Sequence, residues 1–234
     1  MRRLLVSIVW FIPLIAANPI QGGEPFVFRG SRETVHVGFG AAVFLAGTYF
    51  HGRVVAMPLD SLRIESLFPP DRFAVRYHSS AAGRVSDGLA VASAGLPLLF
   101  MSRGTARTDG ILVLEATLIS QGITRTLKGL CQRPRPYAYA TDRRRRIDSD
   151  AFRSFPSGHT AAAFNGAVLA GILSDRRGSN FTPVGWVWAS GLAAASATAF
   201  CRVASGNHFP TDVLAGAVIG ASVGWLVPRL HHRR

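Results

Sequence analysis

Lysine is almost missing from this chain. Of 26 basic residues among 234, only Lys128 is not arginine. Acidic residues number 13, and charged residues make up 17% of the chain, below the roughly 25% of a soluble domain. Cysteine is as sparse: Cys131 and Cys201 are the only two. They exclude a disulfide-stapled secreted scaffold and, paired or as buried thiols, fit any compartment. Long apolar runs are scarce as well. Uncharged, Ala/Gly-rich stretches recur near 34–50, 88–102, 111–124, 160–174, 178–201 and 213–228, and five of the six are shorter than a comfortable bilayer span, which needs about 20 residues. Strand-like alternation and internal repeats are not evident.

What is present is small and apolar residues on all sides of each stretch, which predicts helices, about six of them, in an all-α bundle. Gly166 and Ala170, and likewise Gly216 and Gly220, recur at four-residue spacing and would let helices approach closely, in lipid or in a tight soluble bundle. Low charge and a mean hydropathy of +0.24 favour a membrane-embedded bundle. Residues 51–86, with the breaker Pro69-Pro70, and 133–156 read as linkers. The N-terminus carries Arg2 and Arg3, an apolar run from Leu4 to Ile15, and Ala16-Ala17. Residues 1–22 are thus expected to be a signal-peptide-like or anchor segment, and 23–234 a single domain.

The formal net charge of +13 calls for an anionic partner. The Arg143–Arg146 run is offset by Asp142, Asp148 and Asp150 and has no interleaved aromatics. It reads as a solvated loop, so nucleic acid is not the expected partner. A phosphorylated substrate or a membrane surface remains.

Three clusters at helix boundaries carry the chemistry. Lys128 is followed by Arg135-Pro136 at the close of the third stretch. Pro156-Ser157-Gly158-His159 opens the fourth. Arg202, His208 and Asp212 link the fifth to the sixth. Helix N-termini favour anions. Ser157 is a plausible N-cap, and Gly158 removes a side chain where backbone must meet a ligand. Arg135 and Arg202 offer flat forks to phosphate oxygens, and Lys128 offers a compact point charge. His208 and Asp212 stand four apart, so the carboxylate can fix the imidazole tautomer and leave the other nitrogen as a nucleophile. His159 has no such neighbour in sequence and is available as a general acid. Glu115, alone in an uncharged stretch, reads either as an intramembrane functional acid or as an interhelix hydrogen-bonding group. His36, His51, His78, His231 and His232 read as ordinary surface or core histidines, and Arg125 and Arg133 as solvated or structural.

These clusters resemble the signature of the type 2 phosphatidic acid phosphatase (PAP2) and vanadium haloperoxidase superfamily. KGLCQRPRP, PSGH and CRVASGNHFPTD follow its order and spacing over residues 85–228, except that Cys201 stands where the family usually has Ser. The resemblance implies a metal-independent phosphatase with no cofactor, working through a phosphohistidine. His208 would attack phosphorus, Asp212 would orient it and His159 would protonate the leaving oxygen. Lys128, Arg135, Ser157, Gly158 and Arg202 would hold the phosphate. In the integral lipid phosphatases of this family, six membrane helices bring the three motifs to one extracytoplasmic face, and the stretches here fall in matching places. The implied substrate is a lipid phosphate or isoprenoid diphosphate, in the membrane of a bacterial-type cell envelope. A cleaved signal followed by six spans would instead turn the active face to the cytoplasm. An uncleaved N-terminal element, or a soluble periplasmic phosphatase with a true signal, removes that conflict. A vanadate-dependent haloperoxidase and a non-catalytic anion binder are the competing functions.

Overall fold

The computed structural model describes residues 30–53, 62–101, 105–139, 149–177 and 183–231. The signal-like segment and the Arg143–Arg146 run lie outside them. Among the described residues there are six α-helices and no strand: α1 (Gly30–Gly52), α2 (Ser80–Gly95), α3 (Ala106–Cys131), α4 (Gly158–Arg177), α5 (Val184–Ala204) and α6 (Pro210–Leu230). The expected all-α bundle of six helices is what forms.

The helices outrun the uncharged stretches that predict them. α3 takes in Asp109 at one end and Lys128 at the other, and α4 continues through Asp175 and Arg176. Five of the six are therefore 20 to 26 residues long. Helix propensity of charged residues is high enough to extend a helix beyond its buried face. α2 begins well before residue 88 because the Ser79 hydroxyl accepts from the Ala82 amide at 3.1 Å and caps it. α3 stops at Gln132, which takes up left-handed backbone (φ 43°) and donates its amide to the Lys128 carbonyl.

The helices run up and down in alternation, so one face collects the ends of α1, α3 and α5 and the starts of α2, α4 and α6. α4 is the central member. It packs against α2, α3, α5 and α6, and from Thr160 to Ser174 only Ala162 is less than fully buried. A helix apolar on all sides suits a position enclosed by its neighbours. Phe164 and Val168 of α4 meet Ala195 of α5 and Ala217 and Ala221 of α6. Leu169 meets Leu112 and Ala116 of α3 and Val223 and Val227 of α6. α1 packs on α3.

Glycine sets the α4–α6 distance. A methyl group on Gly216 or Gly220 would collide with the carbonyl of Ser157 or Ala161, and one on Gly224 would come within 2.9 Å of the Asn165 carbonyl. Two rows at four-residue spacing thus lie in contact, which is the close approach that small residues permit. Gly166 does the same between α4 and the Ser93 carbonyl of α2.

α5 and α6 are each long and apolar enough to cross a membrane, and less than half of either is buried. Trp186, Phe200, Val218 and Leu226 point outward from them. On the face where the motifs lie, residues 62–79 form two short 3-10 turns. Leu67, Ala74 and Val75 pack there on Phe209, just ahead of α6. That contact delivers the fully buried Asp71 to the start of α6.

Candidate active site

The loop between α5 and α6 returns the chain within five residues. Gly206 takes left-handed backbone (φ 70°), which glycine adopts without strain. The amides of Asn207 and His208 then donate back to the Arg202 carbonyl at 3.2 and 3.3 Å. This turn sets His208 beside Arg202. Pro210 opens α6 in the position where a missing N–H costs nothing. Asp212, in the first turn, accepts the Phe209 amide at 2.8 Å.

Lys128 ends α3, and its ammonium donates to the Arg153 carbonyl. Arg135 follows the helix end. It donates to the Asp150 carbonyl at 2.9 Å and the Asn207 carbonyl at 3.3 Å, and pairs with the Asp150 carboxylate at 2.9 Å. Ser157 caps α4, its hydroxyl accepting from the Thr160 amide at 3.4 Å and from the Thr160 hydroxyl at 3.0 Å. Its amide donates to the Asp212 carbonyl at 3.0 Å, which ties the starts of α4 and α6 together.

These ends surround one cavity of about 360 Å³. Lys128, Arg135, Gly158, His159, Arg202 and His208 all line it. Gly158 faces Thr124, Gln121 and the Lys128 stem, which a Cβ there would meet in ordinary contact at 3.5 to 3.9 Å. The other two motif residues stand behind the wall. Ser157 is fully buried and engaged with Thr160, and Asp212 is fully buried beneath His208.

The His208 Nδ1 lies 3.7 Å from the Asp212 carboxylate, which is longer than a hydrogen bond. The i, i+4 spacing therefore brings the pair face to face without closing the contact. Catalytic contacts of this kind commonly tighten only when substrate is bound. The imidazole itself is completely buried. Burial lowers its pKa well below 6.5, and the nearby charges of Lys128, Arg135 and Arg202 push it the same way. His208 is therefore neutral, as a nucleophile must be.

Three acidic groups and one arginine complete the geometry, and none stood out in the sequence. Asp87 of α2 holds the His159 Nε2 at 3.0 Å and Arg202 at 3.0 Å with the same oxygen. His159 thus has a carboxylate partner, 72 residues away rather than four. Asp150, read from sequence as a counter-charge in a solvated loop, is the partner of Arg135. Arg133 bridges Asp71 at 2.8 Å and Asp212 at 2.6 Å, and lies over the Phe209 ring at 4.3 Å. Burial opposes its charge, but the two carboxylates outweigh burial and raise its pKa. Asp71 also accepts from the Thr211 hydroxyl at 2.6 Å, and Ser154 donates to Asp212 at 2.5 Å. The only sequence sign of Arg133 was its place in RPRP, two residues before Arg135. His51 and Arg125, set aside as ordinary, line the cavity. Cys131 and Cys201 are both free.

A cavity walled by cations from two helices and the segment after α3, with two histidines and a helix N-terminus beside it, suits an anion such as a phosphoryl group. The sequence model of the PAP2 superfamily matches residues 109–234, just over half of the chain. The chain belongs to the PAP2 superfamily. Similar proteins include the bacitracin transport permease protein BcrC of Bacillus licheniformis, 28% identical over 58% of this chain and 64% of that protein. The lipid A 1-phosphatase of Porphyromonas gingivalis is 34% identical over 47% of this chain and 22% of its own length. The chain thus spans less than two thirds of either relative. Among solved structures, a transmembrane PAP2 type phosphatidylglycerolphosphate phosphatase from Bacillus subtilis is 21% identical, with 98% of this chain and 96% of that one covered and a TM-score of 0.47. The PAP2 motifs of this chain sit at the ends of α3, α4, α5 and α6.

Proposed function

We propose that this PAP2 protein is a phosphatase that hydrolyses a phosphomonoester or diphosphate of a lipid through a phosphohistidine at His208. The observation that carries this reading is the convergence of Lys128, Arg135, Arg202, His159 and His208 on one cavity. In the proposed reaction Nδ1 of His208 faces Asp212, which leaves Nε2 for phosphorus. The Nε2–P bond forms as the P–O bond to the lipid breaks, and His159 gives its proton to the departing oxygen. Water then attacks phosphorus as the Nε2–P bond breaks, His159 takes the proton that the water gives up, and inorganic phosphate leaves. Lys128, Arg135 and Arg202 stabilise the charge on the equatorial oxygens, and the α4 N-terminus at Gly158 adds its dipole. Asp87 favours the protonated form of His159, but burial and the Arg202 charge outweigh it and lower the pKa to about 4. The negative charge of the bound phosphate therefore has to supply the rest of the stabilisation before transfer. Ser157 serves the phosphate indirectly, by fixing the start of α4.

The α2 side of the cavity supports a lipid substrate. Ala90, Val91 and Ala94 line it, and Val91 is 74% exposed. The wall therefore runs from the cations to an apolar outer surface, which suits a head group joined to a chain. Outward-facing apolar side chains on α5 and α6, with their spanning lengths, support membrane association. The proposed setting is the membrane of a bacterial-type cell envelope, with the motif face extracytoplasmic. The lipid A 1-phosphatase relative supports a lipid phosphate as substrate.

The test is phosphate release by the detergent-purified protein from phosphatidic acid, phosphatidylglycerol phosphate, undecaprenyl diphosphate and a soluble aryl phosphate. At least one lipid is expected to be turned over well ahead of the aryl ester, and His208→Ala to reduce turnover by at least about 10⁴-fold. Equal turnover by His208→Ala overturns the mechanism. Preference for the aryl ester overturns the lipid assignment, and vanadate-dependent bromide oxidation overturns phosphatase activity.

A further inference from the structure

At the far end of the bundle from the cavity, three residues distant in sequence meet. Glu115 of α3 is 2% exposed. Its Oε2 lies 2.8 Å from Nε2 of His231, just past the end of α6, and its Oε1 lies 3.6 Å from Nδ1 of His36 in α1. One ligand atom from each residue falls within 4.8 Å of the other two. Gly40, one turn after His36, lies against this turn of α3: a Cβ there would be in ordinary contact with the Glu115 carbonyl, Leu118 and Ile119, at 3.4 to 3.6 Å. The surroundings are apolar, with Leu112, Ala116, Val223 and Val227 clustered nearby.

We propose that His36, Glu115 and His231 form a binding site for a divalent transition-metal ion of the zinc class. Two imidazole nitrogens and one carboxylate oxygen are a donor set that suits zinc and is poor for magnesium or calcium. A buried carboxylate is retained only where it is paired or ligates a metal. A tetrahedral ion about 2.0 Å from each donor holds its donors about 3.3 Å apart. His231 lies 2.8 Å from one carboxylate oxygen of Glu115 and His36 3.6 Å from the other, so each imidazole is near that distance from the carboxylate but not from the same oxygen. The remaining edge has to close. The two imidazoles now lie stacked, with centroids 4.9 Å apart and planes 28° from parallel, so their nitrogens do not yet converge. His36 is the partner with room to turn, since its side chain is 23% exposed against 4% for His231. Rotation of His36 brings its nitrogen to the ion while Glu115 and His231 stay in place.

The site has no part in the phosphoryl chemistry. Glu115 precedes Lys128 by 13 residues of one helix, or roughly 20 Å. Its effect is mechanical: it fastens α1, which otherwise packs on α3, to both α3 and the end of α6. This assignment is independent of the phosphatase reading.

The test uses full-length protein purified without a polyhistidine tag, stripped with chelator and titrated with zinc. Elemental analysis is expected to find about one zinc per chain, and thermal unfolding to show Tm rising by at least about 3 °C with zinc. Glu115→Gln keeps the volume and removes the charge, and is expected to bind zinc at least about 100-fold more weakly. His36→Ala, at a partly exposed position on the outer helix α1, is expected to lose the zinc-dependent Tm rise as well. Absence of bound zinc at roughly micromolar free metal overturns the assignment. So does unchanged affinity in His36→Ala and Glu115→Gln.

Discussion

Arg133 balances two buried carboxylates at once. Asp71 and Asp212 are fully buried, and each gives an oxygen to the same guanidinium at 2.8 and 2.6 Å. Breaking a buried pair on one side leaves the partner charge uncompensated, at about 3–5 kcal/mol. Arg133 is not on the cavity wall, so its loss reaches catalysis only through the placement of Asp212 and His208. Arg133→Met is expected to lower Tm and to lower kcat by about 100-fold, with KM little changed. A variant that loses stability but keeps full kcat would show that Asp212 holds its position without Arg133.

Legibility at this scale divides by sequence distance. Lys128, Arg135, Gly158, His159, Arg202 and His208 were readable because each sits in a short motif, and all six line the cavity. Asp71 and Asp87 were not. Their partners lie 140 residues away at Thr211 and 115 at Arg202, and a lone aspartate in a polar segment carries no local sign of such a contact. Ser157 was readable as a cap, yet its hydroxyl faces Thr160 rather than the cavity.

Between elements, the α4–α6 contact decides how well the site is held. Gly216, Gly220 and Gly224 form its ridge, and the Ser157 amide bonded to the Asp212 carbonyl stands at its active end. Gly220→Ala gains helix propensity, but its methyl meets the Ala161 carbonyl, which is backbone and cannot swing aside. Overpacking of this kind costs about 1–3 kcal/mol. Gly88→Ala on α2 is the control, because nothing lies within 4 Å of its added methyl. The expectation is a lower Tm and reduced activity for Gly220→Ala, and a Tm unchanged or raised for Gly88→Ala. Differential scanning calorimetry of the pair, with activity measured alongside, checks it. The glycine spacing was visible in the sequence. Which helix it faced was not, because the same spacing serves any close neighbour. Helix ends were equally hard to read. Charged residues that close α3 and α4 lie outside the apolar pattern and inside the helices.

Alternating helix directions bring six helix ends to one face of the molecule. The cations that act on His208 come from the end of α3, the segment after it and the end of α5, so its ionisation belongs to the whole assembly. Burial comes first, then Lys128, Arg135 and Arg202, and all lower its pKa. The sign is simple: a lowered pKa keeps the imidazole unprotonated into more acidic solution. kcat/KM, corrected for ionisation of the substrate, is therefore expected to hold as pH falls through 6.5, with its acidic limb below that value. Lys128→Met removes one of those charges, and the limb is expected to move upward in that variant. A wild-type fall centred at 6.5 would contradict the burial of His208.

Asp87 and Asp150, both more than half exposed, hold Arg202 and Arg135 with their carboxylates. Each is a tethered anion at a permanently high local concentration, competing for the cations that a phosphate needs. Entry of substrate is then an exchange of one anion for another, and so is departure of the product. On the proposed phosphatase reading, such an arrangement would shorten the residence time of inorganic phosphate and trade affinity for the product against a faster return to the unliganded site.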